Sequence, residues 1–189
     1  MKLNLGCGFR KREGYQNVDK FADCAPDAVV DLESFPWPWP NDSADEIVLS
    51  HVLEHLGAET VGYFNVFREL YRVCRHGAVL DITVPHPRHD LFLADPTHVR
   101  AITIGGLSMF SRRQCEIWIR DGNANTPIAL MVGVDFEIAG YTFMLEPEWK
   151  RRYELGELND QEMARAIREL SNVVVETNVL MRAVKRYDV

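Results

Sequence analysis

Leu3-Asn4-Leu5-Gly6-Cys7-Gly8, with Asn17-Val18-Asp19 following it, is the stretch that decides the fold. A short apolar strand runs straight into a turn that holds two glycines. Glycine lets backbone come close to a ligand and adopt positive φ. A carboxylate, Asp19, then closes the next apolar run. Strand, glycine turn and strand-end acid, in that order, are the logic of a nucleotide-type cofactor site on a parallel α/β sheet. The spacing is short. Asp19 lies 11 positions after Gly8, where a dinucleotide fold sets its acid about 20 residues on. The first crossover therefore has no room for a full helix.

The rest of the chain sets bounds. At 189 residues it is expected to form a single domain over 1–189. A hydrophobic content of 47% beside 26% charged residues places it among ordinary globular chains. No apolar run is long enough to span a bilayer, and Met1-Lys2-Leu3-Asn4 enters a strand with no visible signal peptide. Cys7, Cys24, Cys74 and Cys115 show no paired spacing, so free thiols in a reducing cytoplasm are expected. A net charge of −7 argues against a dedicated nucleic-acid binder, which usually carries a basic footprint. Arg10-Lys11-Arg12, Arg112-Arg113 and Lys150-Arg151-Arg152 read as solvated faces. The first cluster also stands beside the glycine turn, within reach of an anionic group on a cofactor.

Working outward, strands are predicted at 2–5, 16–19, 28–32, 46–50, 78–84, 135–145 and 172–186. Helices are predicted at 58–75, 109–120 and 159–170. The first has apolar residues at Val61, Phe64, Phe67, Leu70, Tyr71 and Cys74, with Gly77 as its stop. The third carries Asn159 and Glu162 in capping-box positions. Phe35-Pro36-Trp37-Pro38-Trp39-Pro40 is a stiff loop, because alternate prolines remove backbone donors. Residues 85–106 read as a long polar loop, and loops of that length are usually functional. The predicted class is α/β: a Rossmann-like, mostly parallel sheet with an antiparallel C-terminal strand and reduced helices on one face near the N-terminus. An apolar sheet face left open costs about 25 cal/mol per Å². The Trp37/Trp39 loop, the 109–120 helix and a second subunit, making a homodimer, are expected to share its cover.

Leu5-Gly6-Cys7-Gly8, Asn17-Val18-Asp19, Asp31-Leu32 and His51-Val52-Leu53-Glu54-His55 together resemble the class I S-adenosylmethionine-dependent methyltransferases, most closely a short subgroup with these runs. Pro85-His86-Pro87 and Asp95-Pro96-Thr97-His98 fit the same subgroup, and the resemblance covers roughly the first 110 residues. It implies S-adenosylmethionine as cofactor and methyl transfer as the reaction. Gly6 and Gly8, within the run Asn4, Leu5, Gly6, Cys7, Gly8, would admit the methionine half. Asp19 is the implied ribose ligand. Asp31 is the implied adenine ligand, with Leu32 against the ring. Ser50 and His51 would line the pocket near the sulfonium. Asn4 stands where many members carry Asp or Glu; it can still accept a hydrogen bond. The acidic balance favours a small molecule, sugar or protein over nucleic acid as acceptor, a small molecule or sugar first, and His55, His86 and His98 are the candidate bases by their positions after the fourth and fifth strands.

Other readings compete. Asp19 alone is also a turn former, and Cys7 is best read as a small packed residue. His51-Val52-Leu53-Glu54-His55 matches the H-x-x-E-H pattern of some zinc peptidases; on a helix, His51 and His55 would share a face. A zinc-dependent hydrolase through His51, Glu54 and His55 is therefore one alternative, although no metal is expected. A module that binds the cofactor or a nucleoside without transferring anything is another. His86, His89, Asp90, Asp95 and His98 crowd one loop, either as solvated side chains or as the acceptor wall with a base near neutral pH.

Overall fold

A computed structural model describes residues 1–185. Its strands are β1 (Lys2–Leu5), β2 (Gln16–Asp19), β3 (Ala28–Val29), β4 (Ala44–Ser50), β5 (Cys74–Pro85), β6 (Phe136–Leu145) and β7 (Val174–Ala183). They form one seven-stranded sheet in the order β3-β2-β1-β4-β5-β7-β6. β1 pairs in parallel with β2 and β4, as do β2 with β3 and β4 with β5. β7 runs antiparallel between β5 and β6. The mostly parallel sheet with an antiparallel last strand is thus as expected. The helices are α1 (Thr60–Val73), α2 (Asp90–Ala94), α3 (Ile104–Ser108), α4 (Arg112–Arg120), α5 (Ile128–Val132), α6 (Pro147–Glu154) and α7 (Asp160–Glu169).

The strand register sorts the side chains into two unlike faces. One row joins Leu3, Ile47, Leu80 and Met181; the next joins Leu5, Leu49, Ile82 and Val179. Every one is buried. α1 covers these rows with Val66, Phe67, Leu70 and Val73. Phe67 stacks on Phe110 at 3.6 Å and meets Phe136 edge-on at 6.0 Å. The proline–tryptophan loop packs on this same face. The Trp39 indole N–H donates to Gln16 Oε1 at 2.8 Å and that of Trp37 to the Leu32 carbonyl at 3.1 Å. Glu69 of α1 accepts the Trp37 backbone N–H at 2.6 Å, and Arg72 donates to the carbonyls of Trp37 and Trp39.

The opposite face corrects the sequence reading. No helix stands between β1 and β2 or between β2 and β3, only a single 3-10 turn at Ala22–Cys24. Yet many positions pointing that way are polar. Lys2 pairs with Glu46 at 2.9 Å, Asn4 donates to Asn17 at 2.9 Å, and Asn178 donates to Asp81 and Thr83. The β1–β2 connection folds over this face: Arg10 and Arg12 carbonyls accept from Asn4 and Asn17, and the Tyr15 hydroxyl donates to Glu46. These polar pairs and the connection supply part of the cover that the sequence reading shared among the tryptophan loop, a helix and a second subunit.

Boundaries shift for identifiable reasons. β3 stops at Val29, short of the expected Leu32. There the chain turns, with Asp31 Oδ1 accepting the Glu33 N–H at 2.9 Å. α1 ends at Val73 because Cys74 already pairs with Ala44 in the sheet; Gly77 lies inside β5. The buried stripe of α1 holds Tyr63, Val66, Phe67, Leu70 and Val73, while Val61 is exposed. The polar loop contains α2 and α3, and the helix expected from 109 starts at Arg112 with Ser111 as its cap. The capping box of α7 forms as expected. Of the expected last strand, Arg186 lies outside the described residues.

Candidate cofactor and acceptor site

The carboxyl ends of β1 and β4 lie side by side, where the chain changes direction across the sheet. Ligands of open α/β sheets bind at such a switch point. Gly6 has φ +64°, and a Cβ there would lie 2.4 Å from Val52 Cγ2. Only glycine lets these two connections touch. Gly8, at φ +49°, donates its N–H to Asp19 Oδ2 at 2.8 Å. Asp19 Oδ1 accepts the Phe21 N–H at 3.0 Å. The nearly buried Asp19 carboxylate thus ties the glycine turn to the end of β2.

A cavity of about 380 Å³ opens at these strand ends. Gly6, Asp19, Asp31, Leu32 and His51 line it, as the sequence implied. Lys20, Phe21, Val30, Glu33, Val52 and Leu56 line it as well; sequence reasoning missed them. Their common signal is position, since each directly follows or adjoins a strand-end residue already singled out. The other implied residues stand behind the wall. Asn4 is buried and braces the loop through Arg10 and Asn17. Leu5 is core. Cys7 packs in place with its thiol pushed up mainly by burial, which makes it inert. Ser50 stays in register with Thr83 of β5.

His51, His55 and Thr97 complete the lining of the cavity. His51 Nε2 lies 2.9 Å from Glu176 Oε1, and Nδ1 lies 3.5 Å from Glu54 Oε1. Glu54, then Glu176, hold the His51 imidazolium above its ordinary range against the opposing effect of burial. Glu176 also lines a second cavity of about 470 Å³, with Thr83, Asn178, Lys150 and Tyr153. The His51–Glu176 pair is therefore a wall that the two cavities share. His55 lies with its Nδ1 2.9 Å from Thr97 Oγ1, and its ring is 4.7 Å from that of His98. His86 is placed apart from them. Its Nδ1 accepts the Arg88 N–H, its ring stands edge-on to Phe143 at 6.1 Å, and burial followed by Arg88 lowers its pKa. His89 caps α2 by accepting the Leu91 N–H.

The H-x-x-E-H alternative is corrected by the same geometry. His51 has φ +56°, and Leu53–His55 is one 3-10 turn. His51 and His55 therefore share no helical face, and the His51 ring is turned to Glu176.

The seven-stranded sheet, parallel but for β7, is a Rossmann-like α/β fold shared with solved SAM-dependent methyltransferases. No protein-family model and no curated protein matches the chain. Among solved structures, a SAM-dependent methyltransferase from Archaeoglobus fulgidus is similar with a TM-score of 0.63 at 18% identity, over 96% of this chain and 85% of that one. The 1,6-didemethyltoxoflavin-N1-methyltransferase of Burkholderia thailandensis, solved with 1,6-didemethyltoxoflavin and S-adenosylhomocysteine, gives a TM-score of 0.53 at 10% identity, over 97% and 71%. The [4+2]-cyclase SpnF gives 0.53 at 15%, over 98% and 74%. At such identities the likeness establishes the fold, and function is argued from the site.

Proposed function

We propose that this chain is a methyltransferase that moves the sulfonium methyl of S-adenosylmethionine to a small-molecule acceptor. The observation that carries the reading is the Asp19 carboxylate, fixed by the Gly8 and Phe21 N–H groups at the mouth of a cavity that Gly6 and Asp31 also line. In this reading Asp19 accepts from the ribose hydroxyls. Asp31, with Leu32, Phe21 and Val30 around it, takes the adenine end. Gly6 and the backbone of the turn admit the methionine half. The methyl then points toward His51, His55 and Thr97. Structural neighbours of similar fold that bear the name methyltransferase support it.

The transfer is an in-line displacement: the bond from the acceptor atom to the methyl carbon forms as the carbon–sulfur bond breaks, and the electron pair stays on sulfur. The cofactor arrives activated, so the protein mainly supplies alignment, worth about 7–11 kcal/mol in favourable systems. A base is needed only for an acceptor that arrives protonated. His55 is the best placed, since it lines the cavity; His98 lies behind it and His86 farther off. The second cavity sets Glu176, Asn178 and Lys150 among Phe143, Met144 and Tyr153, polar anchors in an apolar wall that would suit a hydroxylated acceptor, a sugar among them. The net charge of −7 disfavours nucleic acid. Free cysteines and described helices too short or polar to cross a membrane accord with the cytoplasm.

Titration with S-adenosylhomocysteine tests the reading. Wild-type protein is expected to bind it, and Asp19→Ala to bind at least about tenfold more weakly, as expected from losing hydrogen bonds to a charged group. Unchanged affinity in the variant removes Asp19 from the site; no binding by wild type overturns the whole reading. Turnover of a labelled methyl donor against an acceptor library separates an enzyme from a binding module.

A further inference from the structure

Glu54 is an anomaly. Its side chain is buried, and neither carboxylate oxygen accepts a hydrogen bond among the described residues. Among the described residues its ion-pair partner is His51, with Nδ1 at 3.5 Å, beyond a normal hydrogen bond, and His51 pairs more closely with Glu176 at 2.9 Å. A buried carboxylate that accepts no hydrogen bond, and whose one neighbouring imidazole is shared with Glu176, leaves room for a further cation. His55 and His98 stand beside it: one ligand atom from each of Glu54, His55 and His98 lies within 4.8 Å of the other two.

The hydrogen bonds of both rings fit the same purpose. His98 Nδ1 lies 2.7 Å from the Phe92 carbonyl. A carbonyl can only accept, so Nδ1 carries the proton and Nε2 is left bare. His55 Nδ1 lies 3.2 Å from the Thr97 carbonyl and 2.9 Å from Thr97 Oγ1. That hydroxyl donates its own proton to Asp95 Oδ1 at 2.6 Å, so it too accepts from Nδ1, and His55 Nε2 is bare. A ring N–H held by a carbonyl, with the other nitrogen free, is the outer-shell arrangement of metal-ligating histidine.

We infer that Glu54, His55 and His98 form a binding site for one divalent transition-metal ion, zinc by its preference for two histidines and one carboxylate with a fourth position open. His55 and Thr97 line the cofactor cavity, so the open position faces the acceptor side. Asp95 Oδ2, 3.8 Å from His98 Nε2, adds negative charge beside the ion. This deepens the methyltransferase reading and rests on it for its role. An ion held there would supply Lewis acidity beside the cavity, favouring the deprotonated form of an acceptor hydroxyl. His55 then serves as a ligand and not as a base, since a nitrogen bound to metal takes no proton.

The test uses the full chain, stripped with chelator and titrated with Co²⁺ by visible absorption and with Zn²⁺ by calorimetry. One ion per chain is expected, with the intense bands of four- or five-coordinate cobalt, and a loss of affinity of at least 100-fold in His98→Ala and in Glu54→Gln. Circular dichroism checks folding, and His98→Ala carries the test if Glu54→Gln does not fold. No binding tighter than millimolar, or binding unchanged in folded His98→Ala, overturns the site. S-adenosylhomocysteine titrated into the same metal-free wild type keeps the two readings apart: cofactor binding without metal binding sinks the metal site alone.

Discussion

At the scale of single residues, Gly6 makes the sharpest demand. Its φ of +64° is a left-handed conformation, and the methyls of Val52 fill the space where a side chain would begin. Gly6→Ala is expected to cost about 2–4 kcal/mol, adding the left-handed penalty to overpacking. Val52→Ala in the same chain should restore the steric part and leave the conformational part, a split that urea unfolding of the double-mutant cycle measures. An additive cycle would show that the contact does not matter. Gly6, Asp19 and Asp31 were legible because strand-end glycines and acids have few alternative uses. Asn4, Leu5 and Ser50 were swept in as neighbours. Strand alternation explains their placement: adjacent residues leave a strand on opposite faces, so Leu5 entered the core and Asn4 the polar face, where it braces the loop.

At the scale of elements, the proline–tryptophan loop is held to α1 by two side chains. Glu69 accepts from Trp37, and Arg72 donates both to Glu69 at 2.7 Å and to the loop carbonyls. Arg72 holds the Glu69 carboxyl below its usual range, with the Trp37 N–H assisting. A depressed carboxyl stabilises the fold above the unfolded pKa, about 4.3 for Glu, and that stability is lost as pH falls through the folded value. Glu69→Gln should therefore cost about 2 kcal/mol near neutral pH. Its deficit against wild type should shrink as the solution is acidified below about pH 4.3, followed by tryptophan fluorescence during urea unfolding. A deficit independent of pH would remove the charge from the explanation. Asn159→Ala should cost about 1 kcal/mol by removing the α7 cap, read as a lower urea midpoint. α7 was legible through that cap. α5 was not, being too short to show a period, and α6 buries no residue fully and so shows no stripe. The early start of β5 was also hidden, because its pairing with Ala44 is a long-range contact that overrides the local stop signal at Gly77.

At the scale of the whole molecule, the short crossovers correctly announced a sheet with helices stripped from one face, but not what replaced them. Sequence spacing counts residues; it does not say which face a strand position serves until the register is known. Here the register sends Asn4, Asn17, Asp81, Thr83 and Asn178 to the side opposite α1, where the polar β1–β2 connection folds over Asn4 and Asn17 and α6 stands across the second cavity from Thr83 and Asn178. The economy has a consequence for stability. β3 is two residues long and sits at the sheet edge, yet Val30 and Asp31, just beyond it, line the cofactor cavity together with Asp19 of β2. A ligand that bridges Asp19 and Asp31 joins this edge to the core and binds only the folded chain. At a ligand concentration of about 100 times Kd it should add about 2.7 kcal/mol. For a chain of this size that is a rise of about 5–11 °C in Tm. Differential scanning fluorimetry with S-adenosylhomocysteine should show that rise in wild type and about half of it or less in Asp19→Ala at the same concentration. The β2–β3 edge should at the same time gain protection from amide exchange. A full rise in Tm with no added protection at residues 18–32 would place the ligand elsewhere on the sheet.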